Sequence, residues 1–142
     1  MIKDEKMIKT LIKEAVARLP ESYAPYSNFH VGAALLTKAG KIYTGVNIEN
    51  ASYGLCNCAE RTAIFSAVNA GEKDFEAICI VGGPNGKIED YCPPCGACRQ
   101  VMSEFCKADF SIILAKSEED YKVYSLGELF PLDFNLKLDI IN

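Results

Sequence analysis

Two short segments carry residues that together could hold a metal ion and move a proton: Cys58-Ala59-Glu60 and Pro93-Pro94-Cys95-Gly96-Ala97-Cys98. Each falls where helix-forming sequence begins, so the first offers one thiolate and the second two. On a helix, the spacing of Cys95 and Cys98 puts both sulfurs on one face, within reach of a single tetrahedral zinc. Three protein ligands leave the fourth position to water, which separates a catalytic zinc from a closed structural one. Glu60, two residues past Cys58, lies near such a metal without needing to bind it. A carboxylate there can take a proton from water and return it to a leaving group.

Three thiolates on Zn²⁺ leave a net charge of about −1, which weakens the metal as a Lewis acid. The N-termini of two helices, each worth roughly half a positive charge, offset part of it. Arg61, the third residue after Cys58, can donate to a ligand sulfur and compensate for the third thiolate. Rival readings use the same cysteines. Cys56, Cys58, Cys95 and Cys98 could close a structural four-thiolate zinc site. Cys92-Pro93-Pro94-Cys95 has the spacing of a redox pair, but two adjacent prolines and the want of a thioredoxin-like βαβ opening argue against it. Cys56, Cys79, Cys92 and Cys106 read more simply as buried or spectator thiols, and His30, the one histidine, as a strand residue rather than a ligand.

The elements that must position these groups follow from hydrophobic pattern. Ile2, Leu11, Ile12, Ala15, Val16 and Leu19 recur at helical spacing, giving an amphipathic opening helix stopped before Pro20. Residues 29–36 and 41–48 have strand character, and Lys38-Ala39-Gly40 between them predicts a β-hairpin. Asn47 and Glu49 lie near the end of its second strand. Residues 59–70 read as a helix stopped by Gly71. Ala77–Val81 is a buried-strand run followed by a Gly/Pro loop, Pro94 marks the start of a helix through Cys106, and residues 110–115 form another buried strand. Residues 121–124 are expected extended and 125–129 as a helical turn. The order gives an α/β domain, a mixed sheet covered by helices.

The 142 residues, 49% hydrophobic, suit one domain over 1–142 with a real core. A formal charge of −4 offers no basic stripe for phosphates, which favours a free small molecule over nucleic acid. The charged residues scattered through the first 18 positions leave no apolar core of a signal peptide, and no stretch suits a membrane span. Seven cysteines, an odd number and mostly clustered, suggest reduced thiols in cytosol, some of them held by metal.

C-x-E followed downstream by P-C-x-x-C is the known signature of zinc deaminases. The chain resembles the small, three-cysteine cytidine deaminases. The likeness extends to Phe29-His30-Val31-Gly32-Ala33-Ala34-Leu35, to Asn47-Ile48-Glu49-Asn50, and to Cys98-Arg99-Gln100. It implies a three-layer cytidine-deaminase-like domain with a mixed central sheet of about five strands. It also implies one zinc per subunit on Cys58, Cys95 and Cys98, with Glu60 as general acid and base. Asn47 and Glu49 would bond the ribose, Phe29 would pack on the pyrimidine, and the Ala59 amide would meet the base carbonyl. A homotetramer with shared active sites is implied as well, Tyr53 and Phe134 serving a neighbouring subunit. The expected activity is hydrolysis of cytidine, and of deoxycytidine, in cytoplasmic pyrimidine salvage. The rivals are a blasticidin-type or other small-heterocycle aminohydrolase, a nucleic-acid-editing deaminase, and a non-catalytic zinc-stapled interaction module.

Overall fold

The computed structural model describes residues 1–136; residues 137–142, the end of the single domain expected over 1–142, lie outside the described residues. Helix α1 (Glu5–Arg18) opens with Asp4 accepting from the Met7 amide at 3.2 Å, and buries Ile8, Leu11, Ile12 and Ala15. Its start differs from the expected one. Ile2 is buried outside the helix, where its N–H donates to Ser111 Oγ at 2.8 Å. Pro20 then sits in a single 3-10 turn, Leu19–Glu21, because its missing N–H cannot continue an α-helix.

Five strands form one sheet in the order β2-β1-β3-β4-β5: β1 Phe29–Thr37, β2 Ile42–Val46, β3 Phe75–Pro84, β4 Ser111–Ala115 and β5 Tyr121–Ser125. Among the described strands only β3 and β4 pair in parallel, so the sheet is mixed. Helix α2 (Ala59–Asn69) connects the hairpin to β3, and α3 (Gly96–Phe105) makes the crossover to β4. Strand period divides the core. Val31, Ala33, Leu35, Ile78, Ile80, Ile112 and Leu114 face α2 and α3, while Ala34, Leu36, Ala77, Cys79, Val81 and Ile113 face α1. Three layers result, with β1, β3 and β4 apolar on both faces as an enclosed sheet requires.

Other boundaries move as well: β2 ends at Val46 rather than at 48, and β3 starts at Phe75 rather than at Ala77. β3 runs through Gly82-Gly83-Pro84, expected as loop, because Phe29, His30 and Val31 of β1 pair with it there. Helix α3 begins after Cys95, not at Pro94, because Cys95 itself is the N-cap, with extended backbone at ψ 169°. Elsewhere the expected chemistry operates: Gly71 takes φ +91° to end α2, and Ser125 and Glu128 form a reciprocal capping box on the short α4 (Leu126–Leu129). Among the described residues, no helix is long and apolar enough to cross a membrane.

Candidate active site

Two helix N-termini meet over the far end of β3. Cys58 is the N-cap of α2 and Cys95 the N-cap of α3, both with extended backbone and neither using its side chain to cap. Cys98 follows in the first turn of α3, fully buried. The placement of α2 depends on Gly45 in β2, where an added Cβ would come within 2.4 Å of the Ala59 carbonyl oxygen and 2.5 Å of the Ala63 nitrogen. Only a glycine lets the first turn of α2 lie this close on the sheet.

The Cys58 and Cys95 sulfurs stand 3.8 Å apart and those of Cys95 and Cys98 3.5 Å apart. All three lie within 4.8 Å of one another. Sulfurs bound tetrahedrally to one zinc at about 2.3 Å would be separated by roughly 3.8 Å, so the donor set fits that ion. Cys56 does not join this cluster, which removes the closed four-cysteine alternative. His30 is also apart from it, its Nε2 paired with Asn28 Oδ1 at 3.2 Å.

Arg61 Nη2 donates to the Cys58 sulfur at 3.3 Å. Donation from the Cys98 thiol, opposed by burial and aided by Arg61 and Cys95, lowers the Cys58 thiol to about 5, while the same contact drives Cys98 upward. One proton is thus easily lost from the cluster before any metal arrives. Glu60 is 4% exposed. Burial, reinforced by the Cys58 charge, pushes its carboxyl up to about 7, poised between proton donor and acceptor near neutrality.

A cleft of 210 Å³ opens onto this cluster, lined by Val31, Asn47, Glu49, Cys58, Glu60 and Cys95 among others. Asn47 is held from three sides. Its Oδ1 accepts from the Val31 amide at 2.9 Å and from Ser22 Oγ, and its Nδ2 donates to the Phe29 carbonyl at 2.7 Å. One N–H of that amide remains for a ligand. The Glu49 carboxylate accepts from the Tyr26 amide at 2.9 Å, the Ser27 amide at 3.1 Å and Ser27 Oγ, and these bonds, led by the Ser27 hydroxyl, keep its pKa low. It stays an anion with an acceptor site to spare. The Ala59 N–H, at the start of α2, has no partner within its own helix, and Ala59 is one of the cleft residues.

The aromatic candidates lie farther out. Phe29 is 40% exposed at the start of β1 and is not among the cleft residues, where Val31 of the same strand face stands instead. Tyr53 is 73% exposed and borders a neighbouring hollow of 260 Å³ with Tyr26, Ser27, Glu49 and Cys56. Phe134, 70% exposed, is carried by backbone that Gln100 clamps, Nε2 donating to its carbonyl at 2.8 Å and Oε1 accepting from its amide at 3.2 Å. Cys92, read from sequence as a spectator, lines the cleft beside Glu60. Its C-x-x-C spacing with Cys95 does not point to the cleft, because its place there is set by the approach of the loop to Gly82. A larger hollow of 390 Å³ bounded by Ile2, Phe75, Phe105 and Phe110 shares no residue with the metal cluster.

Comparison with known proteins agrees with this geometry. Residues 4–114 match the family model described as the cytidine and deoxycytidylate deaminase zinc-binding region. A cytidine deaminase from Halalkalibacterium halodurans is 50% identical over 121 residues, 85% of this chain and 89% of the relative. A blasticidin-S deaminase from Bacillus cereus also matches, at 34% identity over 87% of this chain and 89% of the relative. The crystal structure of a cytidine deaminase from Burkholderia pseudomallei superposes with a TM-score of 0.80 at 51% identity, covering 88% of this chain and 97% of that one.

Proposed function

The chain belongs to the cytidine and deoxycytidylate deaminase family, and from that membership we propose that it hydrolyses free cytidine and deoxycytidine to uridine or deoxyuridine and ammonia, in pyrimidine salvage. The observation that carries this reading is the convergence of three thiols at two helix N-termini beside a buried carboxyl, at the floor of a cleft. Zinc held by Cys58, Cys95 and Cys98 supplies a Lewis acid that makes water a usable nucleophile near neutral pH. The blasticidin alternative is disfavoured by the higher identity to the Halalkalibacterium halodurans cytidine deaminase, 50%, than to the blasticidin-S relative, 34%.

Glu60 takes the proton of the attacking water and delivers it to ring N3, while oxygen bonds to C4. It then takes the remaining water proton from the oxygen on C4 and passes it to the amino group, so that the C4–N bond breaks to ammonia and the C4 oxygen remains as the uracil carbonyl. Arg61 and the two helix N-termini offset the negative charge of the three thiolates. The Ala59 N–H holds the base carbonyl. Glu49 accepts from a ribose hydroxyl and the free N–H of Asn47 donates to the sugar, which favours a nucleoside over a bare base because a missing partner would leave desolvated polar groups unpaired. Phe29 borders the pyrimidine from the rim.

The assembly is a homotetramer in which Tyr53 and Phe134 complete a neighbouring subunit's site; two aromatic rings left in water, one on clamped backbone, support this. Residues 1–142 act as one domain, and seven unpaired cysteines support a reducing, cytoplasmic location. The test is a substrate panel. Turnover of cytidine and deoxycytidine should far exceed that of cytosine, adenosine, blasticidin S and a single-stranded oligonucleotide. Preference for blasticidin S or cytosine would overturn the nucleoside reading.

A further inference from the structure

The segment that delivers Cys95 is stiff and is pinned at both ends. Cys92 and Pro93 each precede a proline, and both prolines fix φ, so the stretch from Tyr91 to Cys95 has few conformations. At its downstream end the Pro94 carbonyl accepts from Arg99 Nε at 2.8 Å, and Arg99 Nη1 donates to the Leu129 carbonyl at 2.6 Å. At its upstream end the Tyr91 hydroxyl donates to the Asp120 carboxylate in the β4–β5 hairpin. Lys116 and Lys122 hold their ammonium groups 4.8 and 5.0 Å from the centre of the Tyr91 ring. The turn is itself ordered, since the Asp120 amide donates to Ser117 Oγ at 3.0 Å and its carbonyl accepts from the Lys116 amide at 2.9 Å.

We propose that Tyr91 is a positioning residue for the metal site: its bond to Asp120 latches the β4–β5 hairpin to the Pro93–Pro94 strut and thereby fixes Cys95 against Cys58. The proposal rests on the zinc reading above. A half-buried ring that only filled the core would not need its hydroxyl, and that difference makes the latch separable from packing. Slack at Tyr91 cannot be absorbed by the proline pair, so it reaches the Cys95 sulfur directly.

The experiment measures zinc release from the loaded protein into a chromophoric chelator, together with the visible bands of the cobalt-substituted protein. Tyr91→Phe and Asp120→Ala should each speed release about 5-fold, the loss of one charge-assisted hydrogen bond. The double variant should be no faster than either, Asp120→Asn, which keeps an acceptor, should restore most of the native rate, and the cobalt bands should shift in both single variants. Unchanged release and unchanged bands in Tyr91→Phe, or multiplied effects in the double variant, would overturn the latch alone. A native chain that takes up no zinc would overturn the metal site and the latch together.

Discussion

From the first turn of the helix that Cys58 caps, Arg61 donates to the Cys58 sulfur at 3.3 Å. The contact supplies positive charge to a cluster otherwise rich in negative charge. Donation from the Cys98 thiol, aided by Arg61, holds the Cys58 thiol down at about 5. In metal-free protein, iodoacetamide should therefore alkylate Cys58 readily at pH 7, with a rate that falls only as the pH drops through about 5. Burial holds Cys92 and Cys106 up to about 12, so peptide mapping should find both unmodified. Arg61→Ala should move the Cys58 midpoint upward and weaken zinc retention; a midpoint that stays put would exclude charge compensation by Arg61.

Glu60→Gln keeps the shape of a buried side chain but cannot move protons. Zinc content and fold should be unchanged while kcat falls by about 10²–10⁴-fold. Metal analysis and circular dichroism alongside the kinetics check this, and near-native turnover would remove Glu60 from the chemistry.

The same substitution has a pH signature in metal-free protein. Glu60 titrates at about 7 in the fold against an ordinary 4.5, so the folded state holds its proton more tightly than the unfolded chain. That contribution is fully present below about pH 4 and is lost as the pH rises through about 7. Urea unfolding should show native and Glu60→Gln proteins equal at pH 4 and the variant more stable by on the order of 3 kcal/mol at pH 8. A constant difference across that range would contradict the burial.

Gly45→Ala would force a methyl against the Ala59 carbonyl and the Ala63 nitrogen. Displacing α2 carries Cys58 and Glu60 with it. The expected result is about 1–3 kcal/mol of lost stability together with weaker zinc binding, measured by thermal unfolding with and without metal. Loss of stability at undiminished zinc affinity would show that the cluster does not depend on this contact.

If Phe134 completes a neighbour's site, Phe134→Ala and Glu60→Gln should each be nearly inactive alone. Mixed and reassembled, they should regain activity, because some sites then draw a native residue from each parent. No recovery on mixing would overturn the contribution of Phe134 to a neighbouring subunit's site.

What the sequence made legible was local. Cys58, Cys95 and Cys98 announce themselves by spacing, Gly71 by its place after a helical run, and the β1–β2 hairpin by strand-like runs on either side of Lys38-Ala39-Gly40. The mixed sheet covered by helices followed from that order of elements and the three layers from the family resemblance, and the structural neighbours share this architecture. Features set by distant approach were not legible. The β3 extension through Gly82 and Gly83 depends on pairing with His30 and Val31. Tyr91 meets Asp120 across 29 positions and Gln100 clamps Phe134 across 34, and no periodicity links such pairs. Cys92 reaches the cleft only because its loop is folded back over β3.

The most direct measurement is cytidine conversion by purified protein whose zinc has been quantified, followed as uridine and ammonia while the metal is stripped with a chelator and restored. Turnover should rise in proportion to zinc and plateau at one ion per chain, with uridine and ammonia released in equal amounts. A folded protein carrying one zinc per chain that leaves cytidine unchanged would contradict the assignment.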